Sequence, residues 1–242
     1  MSYKPIIEIK NVWKKFNFKK NMRNTLREDI ENLFLNRSHD SITSDEFWAL
    51  KDINLNIKKG ESIGLYGPNG SGKTTIIKIL ANVTHPTKGD VHVNGRVAPL
   101  ISVGAGFHPE LTGKENIYTN GVILGMSIKQ IRDFQDQIIE FSGLDSQFLD
   151  MPVKKYSSGM TTRLGFSVAV HSNADIFLLD ETLAVGDESF KEKSSEKILS
   201  LMKENKTFVI VSHNLDQMKR LTNSIYYLEK GTINNIESIN SN

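Results

Sequence analysis

Residues 64–75 read GLYGPNGSGKTT, and this stretch decides how the rest of the chain is interpreted. Residues 67–74 match the pattern G-x-x-x-x-G-K-[ST] in full. The apolar run SIGLYG at 62–67 comes before the glycines and predicts a strand, and residues 74–83 after them predict a helix. Because the pattern is meaningful only between a strand and a helix, its context here predicts a phosphate-binding loop.

Each part of this loop has a predicted chemical role. Backbone N–H groups can surround phosphate oxygens only where the chain comes close, and glycine has no side chain to obstruct that approach. The helix that follows directs its positive end at the same anion. Lys73 supplies a charge for the β- and γ-phosphates, the Thr74 hydroxyl is suited to Mg²⁺, and Thr75 is placed to donate to phosphate. The predicted nucleotide-binding residues are Gly67, Pro68, Asn69, Gly70, Ser71, Gly72, Lys73, Thr74 and Thr75.

Two acidic residues follow a second apolar run, IFLLDE at 176–181. Asp180 is predicted at the carboxyl end of a buried parallel strand, where open α/β sheets bind ligands and where a carboxylate can hold Mg²⁺. Glu181 is predicted to polarise the attacking water as a general base. A third run, TFVIVSH at 207–213, places His213 where it would contact the γ-phosphate or that water. The alternatives are a strand that simply ends in charge and a structural histidine.

Short aliphatic runs alternate with helical periods along the chain, which predicts a layered α/β domain. Continuous apolar runs, which suit strands buried on both faces of a parallel sheet, lie at 62–67, 175–180 and 207–213. Alternating runs lie at 6–12 and 53–57. A mostly helical block at 111–150 suggests a subdomain separate from the sheet. Helices are predicted at 127–141, with a capping box of Ser127 and Gln130, and at 158–172, 188–203 and 214–221.

Length and composition set further bounds. The chain has 242 residues, which favours one domain, and its formal net charge of +2 argues neither for nor against nucleic acid. It has no cysteine, which excludes disulfides and cysteine-ligated metals. It shows no signal-peptide core and no apolar run near the roughly 18 residues of a membrane span. We therefore expect a soluble, cytoplasmic protein, which could still sit on a membrane by binding an integral membrane partner.

An insert at about 17–47 stands apart from the strand–helix alternation. It carries apolar residues at helical spacing, with basic residues nearby: Met22, Leu26, Ile30, Leu33 and Phe34. This face would lie against a membrane partner or anionic headgroups, or it would cover the protein's own domain.

The order of the motifs resembles that of ATP-binding cassette (ABC) ATPases. The phosphate loop is followed by YSSGM at 156–160, IFLLDE, AVGD at 184–187 and His213, and YSSGM is similar to the family signature LSGGQ. The resemblance covers essentially the whole chain. It implies a P-loop NTPase fold with a mainly parallel core sheet, an N-terminal antiparallel β part and a helical subdomain. It implies a single ABC ATPase domain at 1–242, with a nucleotide-binding core at about 1–100 and 174–242 and the helical subdomain at about 104–173.

The same resemblance implies how ATP and Mg²⁺ are held. Two copies of the chain would pair head to tail around ATP, so that Ser157, Ser158 and Gly159 contact the γ-phosphate bound by the opposite copy. Asp187 would cross the interface between the copies. Phe16, in NVWKKF, would stack on adenine, with a core aromatic at a strand end as the alternative. Val103 stands where the family usually has a glutamine, and valine cannot bind Mg²⁺.

Further stretches resemble the ATPase subunits of polysaccharide exporters: ISVGAGFHPELTGKENIYTNG at 101–121 and EFWALKDIN at 46–54. This implies a subunit that hydrolyses ATP to move a lipid-linked, O-antigen-like polysaccharide across the cytoplasmic membrane. It would act at the cytoplasmic face of that membrane, bound to integral membrane subunits. The alternatives are a drug or small-lipid exporter, a soluble ABC ATPase and a regulatory subunit that does not hydrolyse ATP. No basic stripe indicates nucleic acid as a partner.

Overall fold

The computed structural model describes residues 4–17, 46–100, 104, 106–180 and 187–239. The predictions made for the insert helix, for Val103 and for Glu181 concern residues outside these ranges. Within them, no helix combines the length and the apolar character that a membrane span needs.

Within the described residues, nine strands form two sheets. In chain order they are β1 (Ile7–Asn17), β2 (Glu46–Ile57), β3 (Ser62–Tyr66), β4 (Lys88–Val93), β5 (Val97–Pro99), β6 (Ile176–Asp180), β7 (Thr207–Val211), β8 (Ser224–Glu229) and β9 (Thr232–Ser238). The N-terminal sheet is antiparallel with the order β2–β1–β4. The core sheet has the order β5–β6–β7–β3–β8–β9, and only β9 in it runs antiparallel to its neighbour.

The core sheet is apolar on both faces, as the continuous runs predicted. In β6, Ile176 and Leu178 pack with the N-terminal sheet, whereas Phe177 and Leu179 pack under the helices on the other side. Successive side chains of a strand point to opposite faces, so a strand between two apolar layers has no polar position to alternate with.

The strands of the N-terminal sheet are longer than the alternating runs indicated. β1 continues to Asn17, and β2 already begins at Glu46 rather than near residue 53. Residues 13–16 of β1 are all half-buried, so no period of two marks this part of the strand. The extension matters for the site because it carries Phe16.

Seven α-helices complete the described fold: α1 (Lys73–Leu80), α2 (Gly113–Ile123), α3 (Ile128–Ser142), α4 (Ser146–Leu149), α5 (Ser158–His171), α6 (Glu188–Lys203) and α7 (Leu215–Leu221). The predicted capping box before α3 is present, since Gln130 N donates to Ser127 Oγ at 3.2 Å and Ser127 N donates to Gln130 Oε1 at 2.9 Å. A second capping box, Thr112 with Glu115, opens α2. Because α2, α3 and α4 together occupy most of residues 111–150, the mostly helical character predicted for this block is confirmed.

Candidate nucleotide-binding site

A cleft of about 370 Å³ opens where β3, β6 and β7 end. These carboxyl ends lie side by side because Val211 of β7 is paired with Leu65 of β3 and with Asp180 of β6. The cleft is lined by residues 69–75, by Asp180 and Val211, and by Phe16, Phe47 and Ala49 of the N-terminal sheet. The fold thus joins most of the predicted loop, the predicted Mg²⁺ carboxylate and the predicted adenine-stacking aromatic in one place.

The glycines of the loop have two different structural reasons. Gly67 and Gly72 have φ values of +156° and +108°, and both pack against the protein itself. A Cβ on Gly67 would overlap the carbonyl oxygen of Leu228, and a Cβ on Gly72 would lie 2.6 Å from Leu50 Cδ2. Gly70, with φ +77°, has no atom within 4 Å of the position of a Cβ. Packing on β8 and β2 therefore explains Gly67 and Gly72, whereas Gly70 is explained by its left-handed backbone in an open part of the loop.

Lys73 is held over the loop by the backbone of the loop. Its side chain is buried, with 6% of the residue exposed, and Nζ donates to the carbonyl oxygens of Gly67 at 2.7 Å and Pro68 at 3.0 Å. Gly67 and Pro68 thus orient the lysine, although they are not among the described residues that line the cleft. Lys73 thus lies in the lining of the cleft, and its contact with phosphate stays a prediction.

Two further features show that the loop fits a phosphate. The hydroxyl oxygen of Ser71 is buried and has no hydrogen-bond partner among the described residues. At the start of α1, Gly72 provides no side chain to accept hydrogen bonds from the first N–H groups, which have no acceptor within the helix. Five other helices are capped at this position by a side chain: Thr112, Ser127, Ser157, Asp187 and Asn214. Anionic oxygens would satisfy both the Ser71 hydroxyl and the N–H groups.

The oxygen atoms in the cleft also suit Mg²⁺. Thr74 is exposed, and Asp180 is half-buried at the end of β6; both line the same cleft. Mg²⁺ prefers oxygen ligands and is usually bound by one or two carboxylates together with the phosphates of a substrate. The described ranges hold no group of three or more His, Cys, Asp or Glu residues that would bind a metal by themselves. With one hydroxyl and one carboxylate, Thr74 and Asp180 fit a Mg²⁺ ion that also takes ligands from the phosphates of a nucleotide.

Phe16 lies in the wall of the cleft. It is half-buried near the end of β1, and its ring centroid is 5.9 Å from that of Phe47 on β2. Lys14 Nζ lies 5.0 Å from the centre of the Phe16 ring and also donates to the His85 carbonyl oxygen at 2.7 Å. Phe47 was missed by the sequence reasoning because nothing near it in the chain marks it as a partner of the loop.

The signature residues lie at the start of α5. The Ser157 hydroxyl accepts a hydrogen bond from Met160 N at 3.1 Å and so caps the helix, which begins at Ser158 as predicted. Ser157 and Ser158 are exposed, and Gly159 is half-buried. None of these three belongs to the lining of the cleft within the described part of the chain.

Asp187 caps α6 and is tied to the signature helix. Its carboxylate accepts from Phe190 N at 3.0 Å and from Ser189 Oγ at 2.9 Å, and it forms an ion pair with Arg163 of α5 at 3.2 Å. The hydrogen bond from the Phe190 amide, together with that from Ser189, holds the pKa of Asp187 below its usual value. Arg163 also donates to the Gly143 carbonyl oxygen at 3.1 Å. The sequence did not single out this arginine, although it lies one turn beyond the signature residues.

Two other predicted regions lie outside the cleft. His213 is exposed two residues after β7 and is not among the described residues that line the cleft. In the exporter-like stretch, the buried Asn116 side chain accepts from His108 N at 2.7 Å and donates to the Thr112 carbonyl oxygen at 2.9 Å. Asn116 therefore fixes the turn that leads into α2.

Comparison with known proteins decides the family. The family model described as ABC transporter matches residues 50–184, which is more than half of the chain. The chain belongs to the ABC transporter family. The matched part of this ABC protein contains the whole phosphate loop, the signature residues and Asp180.

Three proteins similar to this chain are named as ATP-binding proteins of export systems. The O-antigen export system ATP-binding protein RfbB of Klebsiella pneumoniae is 38% identical over 97% of this chain and 94% of its own length. RfbB of Myxococcus xanthus is 45% identical over 78% of this chain, which is 43% of that protein. The teichoic acids export ATP-binding protein TagH of Lactiplantibacillus plantarum is 40% identical over 94% of this chain, which is 60% of that protein. The chain thus matches 43% and 60% of the lengths of two of these relatives.

A solved structure supports the fold. The ATP-binding cassette MJ0796 was determined as a dimer in a post-hydrolysis state bound to ADP and Pi. Its similarity to this chain has a TM-score of 0.73 at 23% sequence identity and covers 97% of this chain and 99% of that chain. The resemblance to ABC ATPases is therefore confirmed for the family and the fold. The roles of the individual site residues and the domain boundaries stay predictions.

Proposed function

We propose that this ABC protein is the ATP-hydrolysing subunit of an exporter that moves a lipid-linked polysaccharide, of the O-antigen or teichoic acid kind, outward across the cytoplasmic membrane. The observation that carries the ATPase part is the single cleft that holds the phosphate loop, Asp180 and Phe16. The cargo rests on the relatives, which are named for O-antigen and teichoic acid export and favour this function over drug or small-lipid export. The protein would act at the cytoplasmic face of the membrane, bound to integral membrane subunits.

The cleft residues would bind and orient ATP. Lys73 Nζ would exchange the carbonyl oxygens of Gly67 and Pro68 for phosphate oxygens, and Ser71 Oγ would donate its unpaired proton to them. Thr74 and Asp180 would hold Mg²⁺, which supplies charge neutralisation at the phosphates. Phosphoryl transfer needs little covalent help from a protein, so placement and electrostatic stabilisation would account for most of the rate.

The attacking water would be handled next to Asp180. Glu181, the following residue, would accept a proton from that water as the general base, and His213 would contact the water or the γ-phosphate. His213 is exposed in the single chain, which suits a group that completes its contacts when the site closes. Closing would also exclude bulk water and strengthen the electrostatic contacts inside the cleft.

A second copy of the chain would complete the site. Ser157, Ser158 and Gly159 lie outside the cleft of their own chain, so they are available to the cleft of a partner copy. The N–H groups in the first turn of α5 would point at the partner's γ-phosphate, and Ser157 could donate its hydroxyl proton to it while still accepting from Met160 N. Asp187 would lie at the same interface.

The experiment uses Glu181→Gln, with Glu188→Gln as a matched control because Glu188 is an exposed acid in the first turn of α6. The glutamine at 181 keeps the shape of the side chain but cannot accept the proton. The Glu181→Gln variant should retain ATP binding but lose nearly all phosphate release. With Mg·ATP it should accumulate as a dimer, which is measured by size-exclusion chromatography. The control should hydrolyse ATP as the wild type does.

The cargo is tested with the same substitution in the cell that makes the protein. Lipid-linked polysaccharide should then remain on the inner side of the membrane, measured by surface labelling before and after lysis. Undiminished phosphate release by Glu181→Gln would remove Glu181 from the role of base. Normal surface polysaccharide together with abolished phosphate release would contradict the proposed cargo.

A further inference from the structure

Phe47 faces the candidate site from the strand next to Phe16. The two phenylalanines are direct partners in the antiparallel pairing of β1 with β2, and both line the cleft above the phosphate loop. Directly opposed residues of an antiparallel pair carry their side chains on the same face of the sheet. Phe47 therefore presents its ring on the face from which Phe16 reaches the cleft.

Phe47 is unusually open to solvent for a residue of its kind. Of its surface, 41% is exposed, whereas most of the large apolar side chains of β1 and β2 are buried in the core between the two sheets. The cleft floor is charged and polar, so the ring is placed for a ligand that is polar at one end and apolar at the other.

The rings of Phe16 and Phe47 are inclined to each other in the wall of the cleft. Their centroids are 5.9 Å apart and their planes are inclined by 31°, so they are not stacked face to face. Lys14, anchored by the His85 carbonyl, lies over the Phe16 ring and occupies one of its faces. A flat ligand therefore has one face of Phe16 to stack on, and Phe47 is the adjacent ring that extends this apolar surface.

All three residues that the N-terminal sheet contributes to the described lining are apolar: Phe16, Phe47 and Ala49. A nucleobase is planar and aromatic, and it stacks on aromatic side chains. A nucleotide also carries an anionic phosphate chain at its other end, which suits a cleft that has an aromatic wall and a floor formed by the glycine loop. We infer that Phe47 is a second base-binding residue, which together with Phe16 forms an aromatic platform for the base of the nucleotide. This inference rests on the proposed ATP binding.

The test compares a ligand that has a base with one that has none. Mg·ADP and inorganic tripolyphosphate are titrated calorimetrically into the wild-type chain, Phe47→Ala and Phe47→Leu. Because the base loses one stacking ring but keeps Phe16, we expect Phe47→Ala to bind Mg·ADP about 5- to 20-fold more weakly. Tripolyphosphate affinity should stay within about twofold of the wild type, since the anion-binding floor is untouched.

Two further variants serve as controls. Phe47→Leu, already in the titration, keeps apolar bulk but has no aromatic face, so it should show the same selective loss even if Phe47→Ala folds poorly. The first further variant, Phe47→Trp, keeps an aromatic ring and should bind Mg·ADP as the wild type does. Ile236→Ala removes an apolar residue of similar exposure, 52%, from β9 and should bind both probes as the wild type does.

The inference would be overturned if Phe47→Leu bound Mg·ADP with wild-type affinity. It would also be overturned if both probes weakened equally, because that result indicates a distorted phosphate loop and not a lost base contact. A wild-type chain that binds neither probe would refute the proposed function itself, which separates the two failures.

Discussion

Replacement of Gly67 by alanine tests why the phosphate loop contains glycine at its first position. The new Cβ would overlap the Leu228 carbonyl oxygen and would lie 2.9 Å from Ser71 Oγ, in a residue held at φ +156°. The carbonyl belongs to β8, which is paired with β3 immediately before the loop through Tyr66 and Tyr227, so it cannot retreat without disturbing the core sheet. The collision therefore has to be relieved by movement of the loop.

The cost follows from two contributions. A non-glycine residue in this region of φ costs about 1–3 kcal/mol, and insertion of an extra carbon into a packed site costs a further ~1–3 kcal/mol. The sum of about 2–6 kcal/mol corresponds to a fall in the melting temperature of roughly 5–20 °C for a domain of this size. The assay is differential scanning calorimetry without nucleotide, so that a change in ligand binding does not enter the result.

Gly70→Ala is the matched control in the same loop. Its φ is +77°, but its Cβ would meet no atom within 4 Å, so only the backbone strain of about 1–2 kcal/mol remains. Gly70→Ala should therefore melt well above Gly67→Ala. Equal melting temperatures for the two variants would refute the argument that contact with β8 dictates Gly67.

Two further predictions concern contacts outside the cleft. Arg163→Ala should lower kcat for ATP hydrolysis more than it changes KM, because the ion pair with Asp187 and the contact with the Phe190 ring at 5.8 Å are both lost. Arg163→Lys should recover part of kcat. An unchanged kcat in Arg163→Ala would contradict a positioning role for this arginine. The hydrogen bond from Tyr227 to Glu237 raises the pKa of Tyr227 from 10.0 to about 12, so its contribution to stability should be complete below pH 10 and be lost as the pH rises through about 12. Phenolate absorbance should show one tyrosine titrating near 12 that is missing in Tyr227→Phe, and titration near 10 would refute this assignment.

Local chemistry explains which features could be predicted from the sequence. The phosphate loop, the continuous apolar strands and the capping box at Ser127 each depend on residues only a few positions apart, which a pattern records directly. The position of Asp180 could also be predicted, because the carboxyl ends of parallel strands lie at the same edge of the sheet and Asp180 ends such a strand. The family resemblance then follows from the order of these local motifs along the chain.

The sequence could not indicate which distant residues meet. Leu228 dictates Gly67 only because β8 lies beside β3 in the core sheet, and Arg163 meets Asp187 only because α5 and the start of α6 lie together. Such contacts depend on strand order and helix packing, which the periodicity of a single segment does not contain.

The pairing of Phe16 with Phe47 shows this most clearly. β1 and β2 begin in register with Ile7 opposite Ile57, and an uninterrupted ladder would place Phe16 opposite Trp48. Irregularities between Ile9 and Lys15 shift the register, so that Phe47 becomes the partner. Since a slip of one residue moves a side chain to the other face of a sheet, these bulges decide which aromatic ring reaches the cleft. The sequence by itself predicted the glycine loop and Phe16, and only the tertiary structure decided that Phe47 joins Phe16 in the wall of the cleft.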